Sequence, residues 1–137
     1  MGDFVLHDGV AGQKRFEQLL ANRFPEIAGQ ISEFERGLLH LEMAAFARAT
    51  CSAIDKGGFN EVAVHLAFID EFFGDAPPDL ENAIYLSYLE DVFLGRDDER
   101  YCSVRATSSH RLQAALVDLE AHWKKVAEFS RKRSSDA

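Results

Sequence analysis

A chain of 137 residues that is 47% hydrophobic and 28% charged, with eleven Phe, has enough apolar side chain for one packed core. That excludes a disordered chain, and nine Gly, three Pro and two Cys exclude collagen-like, low-complexity and disulfide-scaffold classes. A formal net charge of −8 argues against direct binding of nucleic acid, which depends on Lys and Arg neutralising phosphates.

The opening stretch, MGDFVLHDGVAGQKR, has no basic start followed by a long apolar run, so no signal peptide is expected. No window approaches 18 consecutive apolar residues, so no membrane contact is expected and the cytoplasm is the expected compartment. A first helix is predicted over residues 12–23, with Phe16, Leu19, Leu20 and Phe24 on one stripe, and Pro25 is suited to open a short turn of helix to Gln30. Ser32 and Glu35 have the spacing of a capping box, in which each side chain satisfies the other residue's free amide. The second long helix is therefore predicted over 33–56, with Phe34, Leu38, Leu41, Ala45 and Ala49 facing inward and Gly37 as a weak point in its first turn.

Gly57-Gly58 closes that helix. The third, over 60–73, is apolar on most of its circumference, with Val62, Leu66, Ile69 and Phe73 on one stripe, and is expected at the centre of the stack. After DAPPD a fourth helix is predicted over 79–94, burying Leu80, Ile84, Leu89, Val92 and Phe93. Arg96–Val104 reads as a charged loop. The last helix, from Thr107 to Arg131, has Leu112, Leu116, Leu119, Trp123 and Val126 at alternating spacings of four and three, with Ser108 and Ser109 placed to cap its start.

No strand pattern competes. The expected fold is all-α, with about five principal antiparallel helices in an irregular bundle or a HEAT-like stack of hairpins. One helical domain is expected over residues 1–133, with 134–137 as a frayed tail. Cys51 and Cys102 lie outside any CxxC pattern and are expected to be reduced and packed.

Charge is unevenly spread. Residues 70–99 hold ten acids against Arg96 alone, whereas residues 1–69 carry a net charge of −3 and residues 100–137 a net charge of +4. Such a centre attracts a basic partner and speeds encounter, although it equally serves as a solvated face.

Tests for chemistry find little. A di-metal carboxylate site needs Glu-x-x-His on two helices; here Glu61 precedes His65 by four and Glu120 precedes His122 by two, so no metal is expected. HExxH, CxxC, P-loop and GxGxxG motifs are all missing, and no cofactor is expected. Cys51 lies in an apolar helix, where a small buried residue is commonplace, and no catalytic residue is assigned. Recognition remains. Tyr85 and Tyr88 sit one turn apart, roughly in line with Glu81 and Asp91, and tyrosines are favoured at interfaces. They equally suit packing against the last helix.

The segment FNEVAVHLAFIDEFFGD followed by ENAIYLSYLEDVFLG, with Asn82, Ile84, Leu89, Glu90 and Asp91 as its matching residues, resembles small helical immunity proteins that accompany bacterial toxins. These include the immunity proteins of contact-dependent growth inhibition systems. The likeness covers about a third of the chain. It implies a non-catalytic antitoxin that covers the basic cleft of a cognate toxin, with nucleases as the expected class. On that reading the toxin-binding residues are Asp70, Glu71, Asp75, Asp79, Glu81, Tyr85, Tyr88, Asp91, Asp97, Asp98 and Glu99. The alternative is a helical adaptor that self-associates.

Overall fold

The computed structural model describes residues 8–73 and 76–135, with side chains from Gly12 to Lys132, and their regular structure is entirely helical. In chain order the elements are α1 (Asp8–Arg23), α2 (Pro25–Gln30), α3 (Leu39–Asp55) and α4 (Phe59–Phe73). They continue with α5 (Pro78–Ile84), a π turn (Tyr85–Leu89), α6 (Glu90–Phe93), α7 (Glu99–Thr107) and α8 (His110–Ser135). The architecture is an irregular all-α bundle.

The capping box forms as expected: Ser32 N donates to Glu35 Oε1 (3.1 Å) and Glu35 N to Ser32 Oγ (3.2 Å). It closes only a short turn, because Gly37 adopts φ +85° and breaks the helical path. α3 starts at Leu39 instead of residue 33, and Phe34, expected in the core, is 81% exposed, with Leu38 also exposed. At the far end, Gly57 (φ +77°) donates to Ile54 O (3.0 Å) and Gly58 to Ala53 O (2.8 Å), the paired bonds of a Schellman cap. The tight connection folds α4 back on α3. The nested contacts Phe46–Phe68 (centroids 5.4 Å) and Thr50–His65 (2.9 Å) are those of an antiparallel pair.

α3, not α4, is the central helix. Its small Ala45, Ala47, Thr50 and Ala53 let α4 close on one side and the π turn and α6 on the other. α4 keeps an exposed side carrying Val64 and Phe59, while Phe68 and Phe72, off the predicted stripe, are buried. Phe16, Phe24, Phe46, Phe68 and Phe72 interlock at centroid distances of 5.0–6.4 Å, mostly edge-on.

The predicted fourth helix is present but interrupted by the π turn. Its apolar series Leu80, Ile84, Leu89 contains a step of five, which an α-helix of 3.6 residues per turn would carry off the face. One wide turn takes up the extra residue, and Ala83, Ile84, Tyr88, Leu89, Val92 and Phe93 all stay buried.

The expected charged loop is largely helix α7. Asp98 caps it by accepting from Arg100 N (2.9 Å), Glu99 and Arg105 suit its two dipole ends, and Tyr101 and Val104 are its buried residues. Two apolar positions are too few to show a period in the sequence. α8 buries Leu112, Ala115, Leu116 and Leu119, and Ser109 Oγ caps it by accepting from Leu112 N (3.1 Å). Beyond Leu119 the helix leaves the core, so Trp123 and Val126, expected inside, are exposed. It runs through Ser135, and residues 136 and 137 of the expected tail lie outside the described residues. No described helix is long and apolar enough to cross a membrane.

Candidate partner-binding surface

The candidate residues do not converge on one face. Asp70, at the end of α4, is half-buried and its Oδ1 accepts from Ser109 Oγ (3.0 Å), so it helps hold the start of α8. Glu71 is exposed and ion-paired with Arg23 of α1. Asp75 lies outside the described residues. Asp79 and Glu81 stand exposed in the first turn of α5, where the helix dipole favours acids.

Tyr88 corrects an expectation. It is fully buried, stacked on Phe46 (centroids 5.5 Å), with its hydroxyl 2.8 Å from Thr50 Oγ1, and therefore touches no partner at the surface. The π turn places it there by rotating the residues after Ile84 inward. Tyr85 is half-buried, edge-on to Phe73 (5.3 Å). Burial raises its phenol above the usual range, and the charges of Asp118 and Glu81 push the same way.

α8 completes this side with residues the sequence reading did not select. Asp118 lies near Tyr85, and Trp123, 37% exposed, donates its indole N–H to Glu90 Oε2 (3.2 Å). The face thus comprises Glu81, Tyr85 and Glu90 from the α5–α6 run and Asp118 and Trp123 from α8. The only sequence signal for Asp118 is its place beside Leu119, at the edge of the apolar stripe.

Asp91 points to the opposite side. There it borders an open cleft of about 520 Å³ whose walls also bear Cys51, Asp55, Arg48, Lys56 and Arg96, so the charge is mixed. Arg96 donates through Nη2 to the Asp91 carbonyl (3.2 Å), lies over the Tyr101 ring (4.6 Å) and reaches Cys51 Sγ (3.7 Å). Burial raises the Cys51 thiol, which opposes formation of a nucleophilic thiolate. Both cysteines are free, but Cys102, expected to be packed, is exposed on α7. Asp97 and Asp98, between α6 and α7, and Glu99, the first residue of α7, are exposed, and Asp98 is occupied as the α7 cap.

Two carboxylates outside the acidic segment stand close to buried groups, and the first of them is structural. Glu42 is buried and accepts from Gln13 Nε2 (2.8 Å) and Gly37 N (3.2 Å), joining α1 to the turn before α3. Glu61 Oε1, on an exposed side chain, lies 3.7 Å from the buried His65 Nε2, too far for a hydrogen bond. Among the described residues no group of three or more His, Cys, Asp or Glu side chains is arranged to hold a metal.

A family model described as a domain of unknown function, DUF7674, matches residues 17–124, from the second half of α1 to the exposed part of α8. No curated protein and no solved structure matches the chain.

Proposed function

We propose that this chain, which belongs to the DUF7674 family of unknown function, is a cytoplasmic immunity protein that binds and neutralises a basic bacterial toxin, with a nuclease as the expected target; the reading rests on the acidic surface and not on the family. One observation carries the reading. Asp79, Glu81, Asp97 and Glu99 are exposed and make no ion pair among the described residues, in a segment with ten acids and one base. These carboxylates stand as two pairs, at the start of α5 and at the start of α7, and each pair favours the approach of cations. Set against a nuclease cleft they take the places of substrate phosphates and speed association. Tyr85, beside Glu81 and Asp118, supplies the half-buried aromatic anchor that tight binding needs. No catalytic step, metal or cofactor enters this reading.

The test is co-expression of the tagged chain with its neighbouring genes. A stoichiometric basic protein that remains bound in salt, and whose toxicity the chain abolishes, supports the proposal. Recovery of the chain alone, with the neighbours demonstrably expressed, overturns it. A self-associating adaptor is the second reading, favoured by exposed Phe34 and Leu38 in one short turn. Mass that rises with concentration, and falls back in a Phe34→Ser, Leu38→Ser variant, would select it.

A further inference from the structure

Between α3, α4 and the π turn runs a buried hydrogen-bonded chain. Thr50 Oγ1 lies 3.2 Å from Phe46 O, 2.9 Å from His65 Nδ1 and 2.8 Å from Tyr88 O–H. Among the described residues the Tyr88 hydroxyl has Thr50 alone as an acceptor, so Tyr88 donates. Thr50 has one hydrogen, for Phe46 O or for His65 Nδ1. His65 Nε2 is buried and unpartnered, with Glu61 Oε1 too far at 3.7 Å to accept from it. A buried lone pair left unpaired is cheaper than a buried N–H. Every donor is therefore satisfied in one arrangement: Nδ1–H donates to Thr50, Thr50 donates to Phe46 O, and Nε2 keeps its lone pair.

We propose that this chain is a proton-sensitive lock, closed while His65 is neutral and released when a proton is taken up at Nε2. The new N–H⁺ has the Glu61 carboxylate 3.7 Å away, beyond hydrogen-bond distance, and otherwise stands among aromatic rings, with Phe24 edge-on at 5.1 Å and Phe46 at 4.9 Å. From α3 the imidazole meets Phe46 and Thr50, and through Thr50 the Tyr88 phenol of the π turn. The charged group facing it is Glu61 on its own helix, whose carboxylate also lines a recess with Glu26, Arg48 and Lys56. Burial lowers the imidazole's proton affinity, and Glu61 only partly restores it. Protonation is therefore favoured in conformations where α4 has lifted from α3 and the ring reaches water. Acid then loosens the π turn and frees Tyr88. This inference is independent of the partner's identity.

The test combines imidazole nitrogen NMR with amide hydrogen exchange on the full chain. At neutral pH, His65 is expected to show a protonated Nδ1 and an unprotonated Nε2. Below the ordinary imidazole range, the opening equilibrium at π-turn amides is expected to rise about tenfold per pH unit, the slope for one proton bound on opening. His65→Gln is expected to abolish that slope. Glu61→Gln, at an exposed site, is expected to carry it to lower pH by removing the facing carboxylate. The proposal is overturned by a neutral Nε2–H tautomer, by an ordinary imidazole titration without change at Tyr88, or by an unaltered slope in His65→Gln. If His65→Gln does not fold, the NMR tautomer and an unmoved slope in Glu61→Gln decide the matter alone.

Discussion

At Gly37, two readings of one residue predict opposite outcomes. Inside a helix, Gly→Ala stabilises by about 1 kcal/mol. At φ +85°, with open space around the missing Cβ, the same change costs ~1–2 kcal/mol of backbone strain. Gly37→Ala is therefore expected to lower the urea midpoint, and a higher midpoint would place Gly37 in a helix after all. Glu42 bears on the same turn. Burial raises its carboxyl above the usual range, opposed in part by the Gln13 and Gly37 donors. A carboxyl raised in the folded state adds stability below its unfolded pKa, and that contribution is lost as pH rises through the folded value. Glu42→Gln removes the charge but keeps one oxygen only, so one of the Gln13 and Gly37 donors loses its acceptor at every pH. The stability difference between wild type and Glu42→Gln is thus expected to move against wild type from about pH 4 to pH 8. A constant difference in urea midpoints across that range would remove this linkage.

At the scale of the element, what could be read depended on how many residues carried the signal. α3 and α4 have long apolar series and a Gly-Gly stop, and their pairing was visible from composition alone. The beginning of α3 was misread because the Ser32–Glu35 box is a local motif. It nucleates a turn without stating how far the turn extends, and the Gly37 conformation is the deciding fact. α7 is held by its local Asp98 cap and by two partnerships between residues 15 or more apart, the Tyr101 hydroxyl on Asp55 Oδ1 (2.9 Å) and a two-pronged Arg105–Glu120 bond (2.8 and 2.6 Å). No pattern inside the helix reports them. Asp98→Ala is expected to cost roughly 1 kcal/mol by thermal or urea unfolding, the usual loss for an N-cap. No loss would mean that α7 is fixed by its tertiary bonds alone.

For the whole molecule, the acidic centre was legible as a count, and its division between opposite sides was not. The π turn and the direction of α8 decide which carboxylates share a face: Glu81, Glu90 and Asp118 on one side, Asp91 among cations on the other. The candidate set also mixed surface with support. Tyr88, Asp70 and Asp98 serve the fold, and altering them confounds binding with stability. A clean charge test reverses Asp97 and Glu99 only. Once a basic partner is in hand, Asp97→Lys with Glu99→Lys is expected to slow association and flatten its salt dependence, at a stability cost of about 1 kcal/mol or less from the lost acid at the α7 N-terminus. An unchanged on-rate by stopped flow removes that loop from the interface.

The wide turn at Tyr85–Leu89 makes the length of the chain part of its instructions. Deleting one residue there would offer the backbone a regular α-helix, but everything after the deletion would rotate by about 100° about the axis. Val92 and Phe93 would swing out of the interior, and Glu90 would lose its indole partner. Removal of Leu86, whose side chain is exposed, is therefore expected to unfold the protein, whereas Leu86→Ala should change stability by less than about 0.5 kcal/mol. Homologous chains that differ in length by one residue at this point would have to rebuild either the inner face of the helix or its outer one.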